Sequence, residues 1–107
     1  MMAMGTQGVL TEATYYILLS LYESLHGYGI MQKVTQMSNG RVQLGAGTLY
    51  GVLSTLVERG WIVETAQYDR RKEYLITEAG KAAVEAEMLR LAELWANGQA
   101  VTRGGQR

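Results

Sequence analysis

Residues 45–56 read "GAGTLYGVLSTL", with glycines at 45, 47 and 51 set into the start of an apolar run. Two readings compete for this stretch. Glycines ahead of a helix can cradle a phosphate in a nucleotide enzyme, or they can open a helix that lies along DNA. A dinucleotide or phosphate loop needs a strand, then glycines, then a helix, inside a βαβ unit. Here only "RVQL" (41–44) precedes the glycines, no lysine follows them, and no second α/β unit comes later. A lone G-x-G is a weak signal. The segment reads better as the entry to an amphipathic helix.

That helix is expected over Thr48 to Arg59. Leu49, Val52, Leu53, Leu56 and Val57 recur at i, i+3, i+4, i+7 and i+8, and Gly60 ends it. Upstream, Thr11 caps an apolar segment running from Glu12 to Ser24 or Leu25, with Tyr15, Leu18, Leu19 and Tyr22 at helical spacing. "HGYG" (26–29) is a turn, with His26 closing it. A second helix is expected from Tyr28 to about Ser38, stopped by Asn39-Gly40. "RVQL" has the alternation of one short strand.

Downstream, "WIVETAQY" (61–68) and "KEYLIT" (72–77) are rich in β-formers, with only Asp69-Arg70-Arg71 between them, so they predict a hairpin anchored by Trp61. Thr77 and Glu78 open a last helix running to about Asn97. Val84, Met88, Leu91 and Trp95 form a heptad-like seam on it, and Glu85 and Glu87 read as a solvated face. Helix, helix, short strand, helix, hairpin is the order of a winged helix-turn-helix. The fold expected is mainly α with a small β part. The winged domain covers 11–76, a C-terminal dimerisation helix 77–97, and residues 1–10 and 98–107 are flexible tails.

Bulk properties exclude several classes. The chain has 107 residues, the size of one small domain. It holds no cysteine and one histidine, so neither a disulfide scaffold nor a Cys/His zinc site is expected, and no metal or cofactor. No paired carboxylates or Ser/His/Asp set suggest catalysis, so no enzyme is expected. No apolar run is long enough to span a membrane, and "MMAMGTQGVL" (1–10) lacks the basic start of a signal peptide, which places the protein in the cytoplasm. Ten basic side chains balance ten acidic ones, so distribution must speak instead. Residues 27–76 carry six cations against four carboxylates. Residues 77–96 carry two cations against four carboxylates.

In a winged helix, the third helix enters the major groove. Gly47 at its start admits a phosphate close to the backbone, Thr48 reaches phosphate or a base edge, and Tyr50 and Ser54 stand on its exposed side. Arg70, Arg71 and Lys72 at the hairpin tip cannot be buried cheaply, so they face solvent or phosphate. The expected partner is a double-stranded DNA operator, with a second copy of the chain sharing the work. The rival reading is a winged helix that contacts another protein and not DNA, for which the neutral overall charge argues.

The stretches "HGYGI", "GTLYGVLSTLVERGWI" and "RRKEYLITEAGK" resemble the PadR family of bacterial transcriptional regulators over roughly residues 11–90. The resemblance implies a homodimeric repressor of a palindromic operator. It places Gly47, Thr48, Leu49 and Tyr50 at the start of the recognition helix, with Leu49 in the core. It sets Tyr28 on the DNA backbone, and Arg70, Arg71 and Lys72 in the wing. The chain departs from the family pattern at Gly51, where proline is usual, and at Thr55, where arginine is usual. The short C-terminal helix is similar to that of the multidrug-binding members. These hold a planar aromatic effector in a pore between subunits. By that likeness Tyr16, Ser20, Val84, Met88, Leu91 and Trp95 would line the pore, and Val84, Met88, Leu91 and Trp95 would also dimerise.

Overall fold

The computed structural model describes residues 9–69 and 71–103, with the side chain of Tyr68 excluded. Among the described residues, four helices and a three-stranded antiparallel sheet follow in the order α1 (Glu12–Ser20), β1 (Leu25–His26), α2 (Gly27–Met37), α3 (Ala46–Glu58), β2 (Ile62–Tyr68), β3 (Arg71–Ile76) and α4 (Glu78–Thr102). The sheet order is β1-β3-β2. This is the winged-helix arrangement that the element order predicts.

Local chemistry sets the helix ends. The Thr11 hydroxyl accepts from the Thr14 amide at 3.1 Å, and Glu12 sits in the positive first turn of α1. The helix ends at Ser20, several residues before the expected Ser24 or Leu25. The reason is tertiary: the Leu21 carbonyl accepts from the Ile76 amide at 2.8 Å, and Leu25 and His26 then pair with Tyr74 and Glu73 of β3. The "HGYG" turn therefore supplies the third strand of the sheet, and α2 starts one residue earlier than expected, at Gly27.

"RVQL" is not a strand. Asn39 (φ 54°) and Gly40 (φ 81°) end α2 in the left-handed region. The Ser38 hydroxyl then donates to the Val34 carbonyl at 2.8 Å and accepts from the Val42 amide at 3.0 Å. With that amide taken, Val42 and Leu44 tuck against the core as an irregular segment.

The core is one cluster containing Ile17, Leu18, Leu21, Ile30, Val34, Leu49, Leu53, Leu56, Ile62, Tyr74, Ile76 and Val84. Fully burying one such aliphatic side chain contributes about 1.5–3 kcal/mol. α3 commits Leu49, Leu53 and Leu56 to it, whereas Val57, expected on the inner face, is exposed. Gly60 (φ 77°) turns the chain out of α3 into the hairpin. At the head of α4, Thr77 accepts from the Gly80 amide at 3.1 Å and donates to the Gly60 carbonyl at 2.7 Å, so one side chain locks both helix ends.

α4 is longer than expected. It passes Asn97 and Gly98 and continues to Thr102, so the residues 98–102 of the expected tail are helical. Residues 1–8 and 104–107 of the expected tails lie outside the described residues. Only the first part of α4 belongs to the core: Gly80, Ala83, Val84 and Glu87 are its buried positions. Beyond them the helix projects, at about 1.5 Å per residue. No helix of the described residues is long and apolar enough to cross a membrane.

Candidate nucleic-acid interface

The geometry of α3 separates two jobs. Leu49, Leu53 and Leu56 fasten the helix to the core, and Gly47, Thr48, Tyr50, Ser54 and Thr55 are left on its outer side. The helix has Gly45 at its N-cap with no side-chain cap, and no acidic residue in its first turn, so its leading amides point outward uncompensated. Gly45, Gly47 and Gly51 have open space around them, so no packing demand explains them.

The hairpin stands beside this helix. β2 and β3 pair from Ile62↔Ile76 to Tyr68↔Arg71, with a bulge at Thr65 between Glu64 and Ala66. The bulge raises the local twist and bends the wing. Thr65 there shares a 2.7 Å hydrogen bond with Ser24, and Ser24 donates to Glu73 at 3.1 Å, tying the bulge to the segment before β1. Arg71 and Lys72 are exposed on β3. Lys72 sits 3.5 Å from Glu64, an exposed pair of small net value that can be exchanged for another anion. Arg70, expected beside them, lies outside the described residues.

Tyr28, in the first turn of α2, is 61% exposed, and its hydroxyl accepts from the Gln32 amide nitrogen at 3.5 Å. Tyr50 is 50% exposed and leans over the start of α2. A methyl group placed on Gly27 would lie 2.8 Å from Tyr50 Cζ and closer still to its hydroxyl oxygen. The absence of a side chain at Gly27 is what lets the Tyr50 ring lie there. Two concavities result. One, of about 500 Å³, runs between α3 and the wing, lined by Tyr50, Ser54, Glu58, Glu64, Lys72 and Tyr74 among others. The second, of about 390 Å³, is lined by His26, Gly27, Tyr50, Arg71, Lys72 and Tyr74. Tyr50, Tyr74, Ser54, Arg71, Lys72 and the start of α2 thus gather around two concavities, a set of groups suited to phosphate and sugar.

The residues expected around an effector and a dimer seam divide. Ser20 is fully buried, its hydroxyl donating to the Ile17 carbonyl at 2.7 Å, and Val84 is a core residue at 1% exposure. Neither faces a pore. The heptad spacing puts Val84 on the seam, but α1 and β3 cover this first stretch of α4. Tyr16 is half-buried, and Met88, Leu91 and Trp95 are exposed, Trp95 at 68%. Leu89, Leu94 and Val101, absent from the expected seam, are exposed as well.

Glu87 also departs from expectation. It is buried, not solvated, and receives the Arg90 Nε donor at 2.9 Å, a second Arg90 nitrogen, and the Leu10 amide at 3.5 Å. The Arg90 hydrogen bonds hold its carboxyl below the usual range, outweighing the opposing effect of burial. Arg90 in turn joins Leu10, Glu12, Tyr15, Tyr16, Glu87 and Leu91 around a groove of about 380 Å³ at the α1–α4 junction. Among the described residues, no group of three or more His, Cys, Asp or Glu side chains is placed to hold a metal.

Sequence reasoning missed Tyr74, Gln32 and the role of Gly27. Tyr74 reads from sequence as one more β-former, and nothing local signals that it lines both concavities.

Comparison with known proteins agrees with this architecture. The chain is 32% identical over 84 residues to an uncharacterised 37.1 kDa protein in transposon TN4556 of Streptomyces fradiae; the aligned region is 78% of this chain and 24% of that protein, so the chain spans about a quarter of that relative's length. Among solved structures, a putative transcriptional regulator from Thermoplasma acidophilum superposes with a TM-score of 0.61 at 27% identity, covering 84% of this chain and 90% of that one. RosR of H. salinarum gives 0.62 at 23% identity, covering 86% and 96%. BpsR of Bordetella bronchiseptica, whose DNA binding is regulated by 6-hydroxynicotinic acid, gives 0.58 at 22% identity, covering 87% and 62%. The profile of the transcriptional regulator PadR-like family matches residues 17–86, from the middle of α1 to one residue short of Glu87. With its winged fold, its outward-facing α3 and its family match, this chain belongs to the PadR-like family of transcriptional regulators.

Proposed function

We propose that two copies of this chain bind double-stranded DNA as a cytoplasmic repressor, with α3 in the major groove and the wing along the backbone. The observation that carries the reading is the division of labour in α3. Its leucines are locked in the core, while Thr48, Tyr50 and Ser54 are exposed, and Tyr50 lines concavities with Ser54, Arg71 and Lys72. Gly47 admits close backbone approach, and Arg70 adds a third wing cation. Met88, Leu91 and Trp95 on the projecting part of α4 form the contact between copies. The excess of two cations over residues 27–76 is small, which makes the pair the binding unit, since joined modules gain effective concentration.

A small planar aromatic effector fits near Tyr16, Leu91 and Trp95. The groove at the α1–α4 junction offers aromatic walls beside the Arg90 guanidinium, and BpsR offers a precedent for control by a small aromatic acid. An effector shifts DNA affinity only by the difference in its own affinity for two spacings of the recognition helices.

The test is binding of the purified chain to a duplex from its own upstream region across a salt series. A DNA regulator gives a steep fall of affinity with salt, and Arg71→Ala makes that slope shallower by about one. A chain that ignores duplexes even in dilute buffer is instead an adaptor for another protein.

A further inference from the structure

The two concavities beside Tyr50 differ in charge. The one toward α3 has Glu58 and Glu64 in its wall against a single Lys72. The one toward α2 has Arg71, Lys72 and His26 in its wall and no carboxylate. An anion is favoured in the second and disfavoured in the first.

The second crevice also opens on a helix start. α2 runs eleven residues from Gly27, and neither a side-chain cap nor an acidic residue occupies its first turn. His26, at the N-cap position, makes no capping hydrogen bond; its ring lies instead beside Gly29, where an added methyl would be 3.4 Å from Nδ1. The leading amides of α2 therefore have no side-chain cap among the described residues.

Tyr74 is a separate observation. The residue is buried at 8% exposure, and its hydroxyl has no hydrogen-bond partner among the described residues. No sealed side-chain oxygen or nitrogen there lacks a partner. The hydroxyl is thus reached from outside, and the two concavities that Tyr74 lines are the route. A hydroxyl reached through a crevice gives its proton to water until a better acceptor takes that water's place. Burial also raises its pKa, so it remains a donor at neutral pH.

We infer that the crevice between the start of α2, Tyr50 and the wing is a seat for one phosphate group, with the Tyr74 hydroxyl as the donor on its floor, the first amides of α2 on one wall, and Arg71 and Lys72 on the other. This deepens the DNA reading by naming a contact that it does not include, and it rests on that reading only for the source of the phosphate. The chemistry is shared by a DNA backbone phosphate and a phosphorylated small molecule. Gly27 has a defined part: its missing side chain keeps the crevice open and lets Tyr50 close over it.

The test uses the full chain and two probes. In the first, inorganic phosphate is titrated into isotope-labelled protein at constant ionic strength, and the amide signals of Gly27, Tyr28 and Gly29 are followed. In the second, binding is measured to the upstream duplex and to a scrambled duplex, for native protein and Tyr74→Phe. The variant removes one oxygen and keeps the ring. The seat predicts that phosphate moves those amides more than chloride does, and that Tyr74→Phe weakens this response. A DNA source predicts a loss of about tenfold in affinity for both duplexes alike, because a phosphate contact carries no sequence information. Loss of the phosphate response with duplex binding intact assigns the seat to a phosphorylated small molecule. Unmoved amides together with unchanged duplex binding overturn the seat while leaving the DNA reading standing. Moved amides in a chain that binds no duplex would do the reverse. The native titration needs no variant, so a folding defect in Tyr74→Phe does not blunt the test.

Discussion

Gly27 and Gly80 both sit where a methyl group has no room, yet the neighbours differ in kind. At Gly27 the obstacle is the far end of the Tyr50 side chain, which can swing away. Gly27→Ala should therefore melt within about 1 kcal/mol of native, while the displaced Tyr50 weakens duplex binding; chemical denaturation and a binding titration measure the two separately. At Gly80 the obstacles are the Trp61 backbone and Ile76 Cγ1 at 2.7 Å. Backbone cannot rotate aside, so Gly80→Ala should cost about 1–3 kcal/mol or more, read as a lower denaturation midpoint. From sequence, both glycines were visible as parts of motifs, and neither close approach was. A glycine's neighbours come from another part of the chain, and no local pattern encodes them. The same holds for Glu87. Its position among alanines and glutamates reads as surface, and only the packing of Leu10 and Arg90 around it makes it buried.

At the scale of elements, the helices with strong apolar spacing were legible, because burial of one face is what the period records. Ends were less so. α1 stops early for a hydrogen bond from β3, and α4 runs past Gly98, where the Thr102 hydroxyl donates to the Gly98 carbonyl at 2.9 Å. β1 was invisible because two residues are too few to show an alternation; "RVQL" showed one by chance. Gly51 lies mid-α3, exposed, with open space around it. Gly51→Ala should therefore stabilise the domain by about 1 kcal/mol, seen as a higher melting temperature. The link between α4 and the N-terminal segment carries a pH signature. The Glu87 carboxyl is depressed in the folded state, so its contribution is complete above its ordinary unfolded value and is lost as pH falls through the folded one. Native protein should thus lose more stability on acidification than Glu87→Gln, measured as melting temperature from neutral pH down to about 3.

For the whole molecule, the projecting part of α4 is the surface on which the proposed dimer depends. Leu89, Leu94, Trp95 and Val101 are each more than half exposed, a large apolar surface for so small a chain. Trp95→Glu should shift the proposed dimer toward monomer in sedimentation and lower duplex affinity with it, leaving the melting of the winged domain within about 0.5 kcal/mol. Fold class and element order were readable because a 3.6-residue period gives way to alternation at the hairpin. The grouping of Tyr74 with His26 and Gly27 was not, because it needs the sheet order β1-β3-β2.

That order has a mechanical corollary. β3 is stitched on one edge to the two residues leading into α2, and on the other to the arm that carries the hairpin tip. A lever clamped at both sides cannot tilt one side alone. Whatever tilts β3 must carry the Tyr28 turn and Arg71 in lockstep, so in the proposed regulator neither would engage without the other.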